Sequence, residues 1–215
     1  MKPLLALIRR DLSISLRGGG AVLPLIFFLL VATLFPFAIG PDAPVLARTG
    51  GGVLWMAALL AALLPVDRLI EPDRASGVLD QLALRGISDE AVATARIVAH
   101  WLSFGPPLMI AAIPASALLR MDGAALLRLE AGLAIGTPGL AALGVTVAAL
   151  TAGLRSTGAL AGLLMLPLCV PLLIFGGGAL AEGETGALKL LGAASLLLIA
   201  GAPFAAGAAM RAARE

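Results

Sequence analysis

The chain has 215 residues, of which 60% are hydrophobic and only 13% charged, with a mean hydropathy of +1.04. A soluble domain carries about 25% charged residues, so an ordinary core cannot hide this much apolar surface and the solvent must largely be lipid. The net charge of +2 is too small to point to nucleic acid, and the single Cys169 leaves no pair for a disulfide within the chain.

Pro3 to Leu16 comes first. Leu4, Leu5, Ile8, Leu12 and Leu16 share one helical face, while Lys2, Arg9, Arg10, Ser13 and Arg17 take the other, with Leu7 and Ile14 breaking the pattern. This predicts an amphipathic helix lying in the membrane interface over residues 1–20. Gly18-Gly19-Gly20 then lets the chain turn into the bilayer. A secretory signal peptide is the rival reading, but the run Ala21–Ile39 is too long for its apolar region and no clear cleavage site follows.

Six spans of the length a bilayer requires follow. They are expected at Ala21–Ile39, Thr49–Val66, Ala99–Leu119, Leu127–Thr151, Gly158–Leu180 and Ala187–Met210. The linkers are too short for a soluble domain, so residues 1–215 read as one transmembrane domain. Six spans place both termini on the same side as Asp67–Arg96 and Arg155. That side holds eleven of the basic residues: Lys2, Arg9, Arg10, Arg17, Arg68, Arg74, Arg85, Arg96, Arg155, Arg211 and Arg214. The other holds four: Arg48, Arg120, Arg128 and Lys189. The excess marks the cytoplasmic face. Gly132/Gly136 and Gly158/Gly162 carry the spacing that permits close helix packing, a weak signal in so glycine-rich a chain.

One long stretch stays polar. Residues 67–98, leading into His100, hold ten charged side chains. An Asp or Arg at mid-bilayer costs roughly 2.5–3.5 kcal/mol, so this hub must lie in water between two spans. A short helix over Ser76–Leu84 is expected, with Val78, Leu79, Leu82 and Leu84 as an apolar group suited to another protein; a solvated loop is the alternative. Gly86 makes a joint. Ser88, followed by Asp89 and Glu90, is a good helix N-cap. The helix starting there can run through Arg96 into the third span as one lever. His100 and Trp101, where the hub enters that span, read either as a haem or cavity contact or as an interfacial anchor. Arg128 and Glu130, near the start of the fourth span, are expected to snorkel.

Catalytic patterns are missing. No His-Glu-x-x-His site, Gly-x-Ser-x-Gly elbow or paired-cysteine spacing occurs, so no metal site is expected. The only lysines are Lys2 and Lys189, neither preceded by glycine, so the chain cannot contain a P-loop. It is not an enzyme by itself, and any nucleotide hydrolysis must come from another polypeptide.

Several stretches carry a resemblance that covers the whole chain. They include Leu34–Pro41, Leu54–Leu60, Asp67-Arg68-Leu69, Gly77–Leu82, Ala99-His100-Trp101, Gly136-Thr137-Pro138 and Leu166–Phe175. The chain resembles the haem exporter B family of bacterial cytochrome c maturation, ABC-type permease subunits. The resemblance implies an all-α integral membrane protein of the bacterial inner membrane, a permease half present in two copies. It implies a separate ATPase subunit that binds ATP, partner membrane subunits that handle haem, and a periplasmic haem chaperone. Gly77–Leu84 matches the coupling region, which makes Glu71, Asp73, Arg74, Gly77, Val78, Leu79, Asp80, Gln81, Leu82 and Leu84 the candidate ATPase-docking residues. The tryptophan-rich haem signature of a partner subunit is absent: Trp55 and Trp101 stand far apart. Two functions follow. Either the chain moves haem, as substrate rather than bound cofactor, or it transports nothing and passes ATPase motion to partners that release the loaded chaperone.

Overall fold

The computed structural model describes residues 2–154, 157–181, 183 and 185–214, and every described regular element is helical. The first helix, α1, covers Lys2–Arg17. A turn at Gly18–Ala21, with Gly19 in the left-handed region at φ 72°, redirects the chain into α2, Val22–Ile39. The second span, α3, runs Ala43–Leu63 and begins six residues before the expected Thr49. The reason is local. The Asp42 carboxylate accepts the Val45 N–H at 3.1 Å, and Pro44 occupies the first turn, where its missing N–H costs nothing.

A 3-10 turn at Val66–Arg68 then leads into two short helices, α4 (Glu71–Ala75) and α5 (Val78–Leu84). The single helix expected over Ser76–Leu84 is therefore shorter at its start, because Gly77 sits at φ 71° and breaks the chain between α4 and α5. Gly86, at φ 73°, supplies the joint. Ser88 caps α6 by accepting the Ala91 N–H at 3.3 Å, and α6 continues unbroken from Asp89 to Leu118, so the lever and third span are one 30-residue helix. Three more spans follow: α7 (Gly123–Thr151), α8 (Thr157–Gly178) and α9 (Thr185–Ala212).

Six helices, α2, α3, α6, α7, α8 and α9, are long and apolar enough to cross a membrane. The protein is a multi-pass membrane protein. Its central span is α7, packed by α3, α6, α8 and α9, whereas α2 and α8 leave most of their surface outside the bundle. Gly136 and Gly176 stand where a Cβ would overlap the Trp55 indole, so the two glycines let α7 and α8 close on α3 around that ring. Gly139 admits the Ser195 side chain of α9 in the same way, while a Cβ at Gly158 or Gly162 would meet nothing within 4 Å among the described residues.

Contacts at one end agree with the predicted parity. Arg10 of α1, Arg214 just beyond α9 and Gly153 beyond α7 all reach the segment 71–89. Both termini, the hub and the α7–α8 link thus share one face of the bundle. Arg155, counted with that face from sequence, lies outside the described residues.

Candidate functional site

Charged side chains in a membrane protein need partners or water, and the hub resolves this through a few ties. The first is centred on Asp73 of α4. Arg10 of α1 donates from both terminal nitrogens to its two carboxylate oxygens at 2.7 Å, the paired geometry that a guanidinium fork provides. Arg96 of α6 donates to the same carboxylate and also to the Leu69 carbonyl. One carboxylate thereby joins α1, α4 and α6. Burial pushes the Asp73 carboxyl upward, but the Arg10 hydrogen bonds and the Arg96 charge outweigh it and hold it below its ordinary value. Asp11, 2.9 Å from Arg10, goes the other way: its burial outweighs the attraction of Arg96 and Arg10.

The second tie is Glu71. It pairs with Arg74 at 2.8 Å and accepts the Gly153 N–H at 2.7 Å, fastening α4 to the end of α7. The Arg74 hydrogen bonds lower the Glu71 carboxyl. The third lies where α9 ends. Arg214 donates to Asp89 at 2.5 Å and to the Leu79 carbonyl at 3.4 Å, and its Nε stands 3.9 Å from Asp80. Arg211 donates to Glu90 at 2.5 Å. The two acids occupy the first turn of α6, where negative charge also suits the helix dipole.

These ties fix how α5 presents itself, and here the structure corrects the expected face. Leu79 is only 2% exposed and belongs to the core of the chain, so it has no surface to offer a partner. Leu82 packs against that core, and Val78 is half-buried. The stripe of Val78, Leu79 and Leu82 therefore anchors α5 inward. Leu84 is 89% exposed, beside exposed Asp80 and Gln81. Val78, Gln81 and Leu82 also border an open groove of about 440 Å³ against Pro3, Ala6 and Leu7 of α1, flanked by Arg10 and Arg85. Asp73, a candidate docking residue, is instead taken up by its two arginines. Gly77 acts through its backbone alone.

His100 and Trp101 point into the protein rather than serving as an interfacial pair. Trp101 donates to the Thr137 hydroxyl at 3.1 Å, and Thr137 in turn donates to the Leu133 carbonyl at 2.7 Å. His100 is 4% exposed, tilted against Phe104 with ring centroids 4.8 Å apart, and its Nε2 has no hydrogen-bond partner. It faces Gly144 of α7 and also borders a cavity beneath α1. Glu130, expected to snorkel, has one carboxylate oxygen buried without a partner. Among the described residues, no three His, Cys, Asp or Glu side chains gather as a metal site would require.

Sequence reading missed Arg10 and Arg214 as hub residues and, although it counted Arg96 within the hub, gave it no partner there. Arg96 did leave a signal, since a lone charge in the apolar run Ala91–Ala99 requires a partner. Arg10 and Arg214 left none, because their partners lie 63 and 125 residues away.

The family described as CcmB protein matches residues 2–213. Heme exporter protein B of Rhodobacter capsulatus is 46% identical over 212 residues, covering 96% of this chain and 97% of that protein. The protein of the same name from Bradyrhizobium diazoefficiens is 42% identical over 218 residues, 98% of each. That of Escherichia coli is 40% identical over 213 residues, 94% of this chain and 95% of the relative.

Proposed function

The chain belongs to the CcmB protein family, and from that premise we propose that it is the permease subunit of an ATP-driven haem export complex serving c-type cytochrome biogenesis. A separate P-loop ATPase supplies the energy, and haem is handled as substrate together with partner membrane subunits and a periplasmic chaperone. The protein sits in the inner membrane with both termini and the hub in the cytoplasm, and functions as two copies.

One observation carries the mechanical part of this reading: α5 is tied at once to α9 and to the start of α6 through Arg214, while α4 beside it is tied to α1 and α6 through Asp73. A force applied to the outer face of α5 reaches three membrane-embedded or membrane-lying helices without passing through a flexible linker. The ATPase would engage that outer face, at Leu84, Gln81 and Asp80, and insert a side chain into the groove bordered by Val78 and Leu82. The exposed leucine contributes apolar burial, and Asp80 adds steering more than affinity.

A second reading is favoured by the same ties: the chain passes ATPase motion to its partners and conducts nothing itself. Vesicles containing the assembled complex decide between them. Haem that crosses the bilayer in an ATP-dependent way, with the external chaperone omitted, supports conduction. Chaperone release that depends on ATP without any haem crossing supports transmission alone. If neither process depends on ATP, both readings fail.

A further inference from the structure

A cavity of about 270 Å³ lies beneath α1, bounded by that helix, the 3-10 turn, α4 and α6. Its position follows from the chain. Gly18 and Gly20 mark where α1 turns into the first span, Pro65 and Arg68 mark where the second span ends, and all four line it. The cavity therefore stands at the headgroup level of the leaflet on the hub side. It also has depth: Ser103 lies seven residues beyond Arg96 on α6, about 10 Å farther into the bilayer at the helical rise.

Its charge is not balanced. Three guanidinium groups gather here, Arg68 and Arg96 in the lining and Arg10 behind it, against two carboxylates, Asp11 and Asp73. Arg10 and Arg96 are both engaged by Asp73. Arg68 is exposed, and its guanidinium makes no ion pair or hydrogen bond with any described residue. Burial pushes the Asp11 carboxyl up, which weakens the negative side further. The rest of the wall is mostly apolar, with Ile14, Pro65, Leu69 and Ala99, while Ser15, His100 and Ser103 add polar groups, Ser103 at the deep end; Ile14 is 54% exposed at the edge.

We infer that this cavity takes the headgroup of an anionic phospholipid from the hub-side leaflet, with its phosphate on Arg68 and its glycerol end running down past Ala99 toward Ser103. The volume suits a headgroup and is small for a whole drug-sized ligand. One free cation beside a wall that is mostly apolar matches a lipid better than a free anion, which would gain nothing from that wall. The bound lipid would fill the gap between α1 and α6 and hold the interfacial helix against the hub.

The test uses the full chain purified in mild detergent and titrated with phosphatidylglycerol or phosphatidylcholine, with bound lipids counted by native mass spectrometry. The tightest-bound lipid should prefer phosphatidylglycerol by about fivefold, the worth of one arginine near an anionic surface. Arg68→Gln should erase that preference while keeping the unfolding temperature in lipid-free detergent, since the side chain is exposed and unpartnered. Arg17→Gln, on exposed α1 surface outside the cavity, should leave the preference intact. Equal loss in both variants would mean diffuse attraction to a basic surface and would overturn the inference. So would an unchanged preference in Arg68→Gln. Displacement of the lipid by millimolar inorganic phosphate alone would make this a simple anion site and overturn the assignment to lipid.

Discussion

Two junctions hold this protein together, and they use opposite chemistry. At the hub, the Asp73 carboxylate joins α1, α4 and α6 through arginines. In the bilayer, the Trp55 ring joins α3, α7 and α8 by filling the space left by Gly136 and Gly176, with its own N–H left unpartnered. The difference follows from the solvent. Lipid offers apolar side chains no advantage for leaving it, so spans associate by close packing, and small residues permit the approach. At the water-facing end, charges that meet few alternatives select one arrangement, and breaking that arrangement leaves a buried charge alone. Shape therefore fixes the body, and charge fixes what the body presents.

The largest effect is expected at the charged junction. Asp73→Ala strands Arg96, whose side chain is 8% exposed, and should cost about 3–5 kcal/mol. Thermal unfolding in detergent reads this as a large drop, and Asp73→Asn, which keeps an acceptor, should do less. If Asp73→Ala unfolds like the parent chain, the contrast between the junctions is broken.

Next comes the packed junction. Gly176→Ala places a Cβ within the Trp55 ring and should cost about 1–3 kcal/mol through overpacking. Gly158→Ala and Gly162→Ala, with open space around them, should change the unfolding temperature little. Equal effects at all three positions would mean that helix propensity rather than the cradle is being measured.

A smaller effect is expected at the α9 tie. Arg214→Ala removes the 2.5 Å bond to Asp89, but Arg211 remains 3.7 Å from the same carboxylate, so the loss should be about 1–2 kcal/mol. Hydrogen exchange should speed up in α5 and the first turn of α6 before it does in α7. Faster exchange spread evenly over the spans would deny the tie a local role.

The smallest effect sharpens the charged junction by its sign. The Asp73 carboxyl is depressed in the folded protein, so its contribution is present above its unfolded value and lost as pH falls through the folded one. The Asp11 carboxyl is raised, so its contribution is fully present below the unfolded value and lost as pH rises through the folded one. Asp11→Asn should therefore slightly raise the unfolding temperature at pH 7 and steepen the net loss on acidification, with Asp73 then acting unopposed. A lower unfolding temperature at pH 7 would show that the Arg10 contact outweighs the burial of Asp11.

The spans and their parity were readable in the sequence because hydropathy and turn chemistry are local. Ser88, Gly86 and the acidic start of α6 announced the joint and the lever. The start of α3 was readable too, in Asp42 and Pro44, but its weak apolar character before Thr49 hid it from a hydropathy reading. The face of α5 was not readable. A seven-residue helix with Val78, Leu79, Leu82 and Leu84 has apolar groups nearly all round, so only tertiary packing decides which of them turn inward. The Trp55 cradle escaped for a similar reason: Gly136 and Gly176 lie 40 residues apart on different spans, and nothing local ties either to an indole on a third.

The central claim is that the ties hold α5 while its outward residues meet the ATPase. It is tested most directly by co-purification of the ATPase subunit with a chain carrying Leu84→Ser and Gln81→Ala. Both side chains are exposed, so the variant should accumulate in the membrane and unfold at the parent temperature, yet retain the ATPase at least roughly tenfold more weakly, as the loss of a central apolar contact implies. Normal retention of the ATPase by this variant would contradict the account and leave α5 as a structural brace alone.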